Sequence, residues 1–350
     1  MSSNPDVSSA TAQSPQTTVE LREVVLLDHI QLETLRSKHQ MLPESGDAYS
    51  HVLSGNHQAS DGVAHHPNGW GLVTNHLELV GHIGNIIFGY YLDGKRITSA
   101  SARSWVVDNE YRGSSLTLLR MFWTQPNIDL LLITTANLRT SRVYAMKGAV
   151  KPPTGCYDRS AIWIIDHQKF ASSLLIKKTL PLPQVLALPV GAVLSAVSWV
   201  RNIGRCHPRQ HTYIREVNTI DERFDRFWEK LRAQPNRLLC VRDRAAVAWR
   251  FDRPLRAGNA WIFSYENALR EFAGYAVFLR QDSPEIGLRR MRLVDFQSEG
   301  DGDKFLQDAI EVALSRCHAE GIQRIRCNGL QPVGGRLAKR FLWTASNRSK

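Results

Sequence analysis

Trp105-Val106-Val107-Asp108-Asn109-Glu110-Tyr111-Arg112-Gly113-Ser114-Ser115-Leu116-Thr117 leads into an apolar helical run that ends near Trp123. Behind it come the strand-like stretch Asp129–Ala136, then Asn137, and a second helical stretch that carries Tyr144 and stops at Gly148. A strand that feeds a turn of small residues at a helix N-terminus exposes backbone N–H groups along a favourable helix dipole, a geometry that holds phosphate. A tyrosine one element later supplies a transferable proton. Together these residues point to group transfer from a phosphate-bearing carrier.

Outward from this stretch, Leu79–Tyr91 and Lys95–Val107 flank Asp93-Gly94, the signal of a tight hairpin. Upstream, Leu21–Leu27 reads as a strand, Asp28 as the cap of a helix to about Gln40, and residues 43–68 as a polar loop. Residues 1–20, rich in Ser, Thr, Gln and Pro, read as a disordered tail. Downstream, Tyr157–Ile165 reads as a strand closing the first unit.

The order then recurs faintly. Asp221–Arg232 reads as a helix and Leu238–Phe251 as short strands, with Trp249-Arg250-Phe251 an aromatic strand core. Ala260–Tyr265 and Phe272–Leu279 form a hairpin. Arg289–Phe296 is a strand whose Leu293-Val294-Asp295 echoes Val106-Val107-Asp108. Asp303–Glu320 is a helix, Gln323–Asn328 a strand, and Gly335–Trp343 a last helix. The fold class is therefore α+β (mixed α/β): two similar units, each a mixed, mainly antiparallel sheet flanked by helices. The units are placed at 21–172 and 209–350, with an apolar, Pro-containing linker over 173–208. Within the linker, Thr179–Val200 carries no formal charge. Its length suits a membrane span, but Pro181, Pro183 and Pro189 interrupt a helix, and a buried segment is the favoured reading over membrane contact.

The chain has 350 residues, 43% hydrophobic, with a formal net charge of +11, so anionic partners are favoured: coenzyme phosphates, nucleic acid or acidic lipid. Scattered arginines without a zinc-finger or RNP pattern argue against specific nucleic-acid recognition. The group Arg289, Arg290 and Arg292 reads as a solvated strand face. The five cysteines form no Cys-x-x-Cys pair, and with no signal peptide they point to a reducing cytoplasm and to core packing. No metal is expected, since His65-His66 lacks a third ligand.

The stretch Val106–Ala149 resembles the core of the GNAT superfamily of acyl-CoA N-acyltransferases. Its Arg/Gln-x-x-Gly-x-Gly/Ala turn falls here on Arg112-Gly113-Ser114-Ser115-Leu116-Thr117, with Ser115 and Thr117 at the two small positions. Asn137, Tyr144 and Gly148 match the family's later spacing. Trp105–Gly113 and Thr134–Asn137 also resemble a bacterial subgroup of two-unit GNAT-like proteins, and the likeness runs over roughly residues 21–345.

The resemblance implies direct attack of an amine on acetyl-CoA or another acyl-CoA. Backbone amides near Val106 and Val107 would bind the thioester oxygen. Arg112 and the amides of Gly113, Ser114, Ser115, Leu116 and Thr117 would hold the pyrophosphate. Tyr144 would protonate the departing thiolate, and Asn137 would order the strand-to-helix turn or bind the pantetheine arm. Glu78, Asp108 and Glu110 are each available as base. The implied acceptor is an amine-bearing small molecule or a polysaccharide precursor, with transfer of aminoacyl groups from tRNA a further possibility. The second unit departs from the pattern: Gln297–Asp303 is acidic where phosphate would sit, and Arg336 stands near the expected tyrosine, so this unit reads as degenerate and non-catalytic. A binding module for an anionic polymer or partner protein is the alternative.

Overall fold

The computed structural model describes residues 18–41, 45–59, 66–134, 136–152, 159–179, 186–189, 191–193, 213–300, 302–328 and 343–346. The chain divides into two compact units, 1–136 with 235–241, and 137–234 with 242–350.

The first unit is built on a six-stranded sheet. Strands β1 (Val19–Glu23), β2 (Gly69–Thr74), β3 (Leu79–Leu92) and β4 (Lys95–Val107) run antiparallel in that order, and β5 (Leu130–Leu132) pairs parallel to β4. The hairpin signal is realised: Asp93 and Gly94 both take positive φ, 51° and 75°, as a turn matched to strand twist requires. Helices α1 (His29–Lys38) and α2 (Gly46–Ala59) come before β2, and α3 (Ser115–Trp123) lies between β4 and β5. Leu32 and Leu35 of α1 pack with Val24, Val73, Leu79 and Val106, and Tyr49 of α2 joins them.

Helix α2 replaces the loop expected over 43–68. Ser45 accepts the amide of Ala48 at 3.2 Å, and Tyr49, Val52 and Leu53 recur at helical spacing. The polar composition hid that short stripe. Strand β5 is shorter than the expected Asp129–Ala136.

The second unit holds a seven-stranded sheet. Helix α4 (Leu138–Met146) opens it, then β6 (Arg159–Ile164), α5 (His167–Lys177), β7 (Ile214–Val217) and α6 (Glu222–Arg232). Strand β8 (Leu238–Cys240) returns to the first sheet, antiparallel to β3. Helix α7 (Arg244–Arg256), the hairpin β9 (Ala260–Glu266) and β10 (Phe272–Arg280), β11 (Arg290–Ser298), α8 (Gly302–Ala319), β12 (Arg324–Asn328) and β13 (Trp343–Ser346) complete it. The order is β13-β6-β12-β11-β10-β9-β7. The core lies on the α8 face: Trp261, Phe263, Phe278, Met291, Phe305, Ile310 and Ile325 are buried together.

Two expectations are corrected here. The strand read over 157–165 is present, but it is hydrogen-bonded to β12 and β13, so the division falls between Ala136 and Asn137, not near 172. Trp249-Arg250-Phe251 is helical: Asp243 caps the amide of Ala246 at 2.8 Å, and Val247 and Phe251 bury at i, i+4 spacing. The helix expected over 335–343 lies outside the described residues except at Trp343, which is in a strand. Most of the apolar 179–200 segment and the tail to residue 17 also lie outside them. No described helix is long and apolar enough to cross a membrane.

Candidate active site

The end of β4 has the geometry on which the site depends. Against β3, Val106 pairs with His82 and Arg103 with Gly84, so β4 carries one extra residue. Ser104 stands there with φ 51°, a β-bulge that bends the strand. The parallel pairing with β5 covers only Ser99–Ser101 and stops before the bulge. Beyond it, the amide of Asp108 donates to Val80 O at 2.8 Å. Antiparallel bonding alternates, so Val107 turns its N–H and C=O away from β3, toward the edge that β5 has left. Val106 faces β3 instead and contributes its side chain to the core.

After Asp108 the chain forms a 3-10 helix, Asn109–Ser114, that runs directly into α3. Tyr111 N donates to Asp108 O and Ser115 N to Arg112 O. Two of the amides in this segment are thereby used, and Leu116 and Thr117 lie in the first turn of α3. Ser114, at the N-cap position, makes no side-chain cap bond. A Cβ on Gly113 would meet nothing within 4 Å, and a surface hollow of about 390 Å³ lies against Glu110, Tyr111, Gly113 and Ser114.

Asp108 is not a free carboxylate. His39 Nε2 lies 2.9 Å from its Oδ1 and Lys38 Nζ 3.3 Å from its Oδ2, and Lys38 also reaches Glu78 at 3.2 Å. His39 follows the last residue of α1, and no motif in the sequence announced its pairing across 69 positions. His82, opposite Val106, is also a histidine the sequence did not single out. It is buried against Gly69 and Gly84, its Nδ1 lies 3.3 Å from Ser104 O, and its Nε2 has no partner. Burial pushes its pKa down to about 4, so the ring is neutral near pH 7.

Asn137 and Tyr144 fall in the second unit. Asn137 Oδ1 accepts the amides of Arg139 and Thr140 at 3.0 and 2.9 Å, and Thr140 Oγ1 accepts the Asn137 amide at 3.0 Å, a reciprocal capping box. Tyr144 is buried on α4, and burial raises its phenol to about 12. Cys317 and Cys327 are buried with thiol pKa values pushed up by desolvation, as inert core residues. Among the described residues no group of three His, Cys, Asp or Glu could hold a metal.

Against known structures this arrangement is familiar. A GCN5-related N-acetyltransferase from Kribbella flavida superposes with a TM-score of 0.52 at 12% identity, covering 91% of this chain and 65% of that one. The chain has the GNAT fold. A probable N-acyltransferase from Enterococcus faecalis V583 gives 0.51 at 11% identity, over 89% of this chain and 65% of its own. Saccharomyces cerevisiae N-myristoyltransferase with bound myristoyl-CoA and inhibitors gives 0.50 at 13%, over 95% and 79%. This GNAT-fold chain thus spans about 65% of the length of the two bacterial structures. No protein-family model and no curated protein matches it.

Proposed function

We propose that the protein is an N-acyltransferase that moves an acyl group from acetyl-CoA or another acyl-CoA to the amine of a small molecule or polysaccharide precursor. The observation that carries this is the outward-turned Val107 amide beside a bulge, followed at once by the N-terminus of α3 with Arg112 before it. In this reading the coenzyme diphosphate takes the Leu116 and Thr117 amides and Arg112, and the thioester oxygen takes the Val107 N–H. The amine nitrogen attacks the carbonyl carbon, the C–N bond forms and the C–S bond breaks. His39, donating Nε2–H to Asp108, keeps Nδ1 as acceptor for the amine proton. The thiolate takes the proton of Tyr144. That last role rests on sequence spacing and on a phenol that burial keeps protonated.

The test is incubation with acetyl-CoA and a panel of amines, with products followed by mass spectrometry. Acylated amine that depends on the enzyme is expected, with kcat falling at least tenfold in Tyr144→Phe and coenzyme binding unchanged. No saturable binding of any acyl-CoA would contradict the reading. It would favour a GNAT-derived binding module instead, for which the amides spent within the 3-10 helix are the specific support.

A further inference from the structure

Four arginines form a compact array on one face of the second sheet. Strands β11 and β12 are parallel, and Arg290 is in register with Arg324 and Arg292 with Arg326. All four side chains stand on one face, with Ile164 and Ile162 of β6 beside Arg324 and Arg326. Strand spacing puts their Cα atoms at the corners of a rectangle of roughly 5 by 7 Å. Like charges on adjacent strands repel, and each guanidinium has five N–H donors to satisfy.

These donors are poorly served. The Nε atoms of Arg292 and Arg324 are buried with no hydrogen-bond partner. Arg324 lies over the ring of Phe170 at 5.9 Å, while Arg326 is better served and bonds Ser160 Oγ and Asn328 Oδ1. Arg290 Nε donates to Gln281 O. Asp282 accepts the Arg290 amide but gives its ion pair to Arg280. No ion pair to Arg290, Arg292 or Arg324 occurs among the described residues. Burial, then Arg290 and Arg326, bring the Arg324 pKa down to about 10. Residues 167–215 and 321–350 contain no Asp or Glu, and Asp166, at the start of α5, pairs with Lys169. Arg290, Arg292 and Arg324 are half-buried cations that repel one another, an arrangement that is costly without an anion and so marks a site.

We infer that Arg290, Arg292, Arg324 and Arg326 form a binding site for a ligand bearing two or more phosphate groups. Two cations on each of two strands suit a diphosphate, and arginine forks match phosphate oxygens. The site is separate from the α3 turn of the proposed activity and does not rest on it.

The probe is inorganic pyrophosphate, titrated into the full chain in phosphate-free, low-salt buffer, with sulfate at matched ionic strength as control. Saturable binding is expected that survives Arg112→Gln and weakens at least tenfold in Arg292→Gln/Arg324→Gln. In the unsubstituted protein, pyrophosphate should slow amide exchange over 290–293 and 324–327, a readout that requires no variant to fold. Without anion, Arg324→Leu should raise the Tm, because one repelling charge is gone. Absence of saturable binding, equal binding by the double variant, slowed exchange confined to 113–118, or equal response to sulfate would each overturn the inference.

Discussion

Strand β4 with α3, and strand β11 with α8, are two versions of one design that ended with different chemistry. Each strand is antiparallel to its predecessor and parallel to its successor, and each carries an extra residue, at Ser104 near the end of β4 and at Val294 in the middle of β11. Each bulge is followed closely by an aspartate, and there the likeness stops. Asp108 is part-exposed and holds His39 and Lys38. Asp295 is buried, clamped by Arg242 Nε at 3.0 and 3.1 Å and by the Tyr275 hydroxyl at 3.1 Å. Past Asp108 the chain offers Arg112, Gly113 and two serines. Past Asp295 it offers Glu299, Gly300 and Asp301, and a Cβ on Gly302 would collide with Ser298 Oγ. Acidic groups at a helix N-terminus satisfy its dipole but repel a diphosphate. One copy sets Arg112 and Gly113 before its helix start, while the other locks its aspartate into Arg242 and Tyr275 and carries its positive charge on a different face.

The largest expected contrast is in stability. Asp295→Asn removes a buried carboxylate from its ion pair with the half-buried Arg242 and should cost about 3–5 kcal/mol in denaturant unfolding. Asp108→Asn breaks part-exposed pairs and should cost under about 1 kcal/mol. Equal costs would end the distinction between lock and open site.

Next in size is a pH effect located in the first unit. The buried His82 resists protonation, with a pKa near 4 against an ordinary 6.5. Between those values the unfolded chain binds the extra proton, so stability should fall as pH drops from about 6.5 to about 4, by up to roughly 3 kcal/mol. His82→Leu should flatten that part of the stability–pH curve, and an unchanged slope would show that the acid sensitivity lies elsewhere.

Arg112→Gln should weaken acyl-CoA binding about tenfold, or roughly 1.4 kcal/mol, as one charge-assisted phosphate contact is lost. Glu299→Gln in the second copy should leave it unchanged. Smallest is Asn137→Ala: with both capping bonds gone it should lower stability by about 1 kcal/mol. Coenzyme affinity that fell with no loss of stability would instead give Asn137 a ligand contact.

The parts legible in sequence were those set by local chemistry. Asp93-Gly94 announced its hairpin, and Asn137 and Asp221 cap the helices they were read to open, whereas Asp28, read as a cap, instead pairs with Arg22. Leu293-Val294-Asp295 pointed to the internal echo, and in each unit an aspartate does precede the helix that follows the bulged strand. What stayed hidden depended on pairings between distant segments. Strand β8 joins β3 from about 150 residues away, and nothing in Leu238–Cys240 names its partner. Helix α2 was missed because His, Ser, Asn and Gly outnumber its three packing residues. In the site, Arg112 and Asp108 stood out, but the His39–Asp108 contact is tertiary. The arginine array was half visible: Arg290 and Arg292 alternate along one strand, and only the parallel register with Arg324 and Arg326 makes them a cluster.

The most direct test is amide hydrogen exchange of the full chain with and without saturating acetyl-CoA. Slowed exchange is expected at Val107 and over 113–118, with no change over 299–306 at the start of α8. Unaltered exchange at Val107 and 113–118 at every coenzyme concentration, or slowing at 299–306 instead, would contradict the assignment of the coenzyme to the first unit.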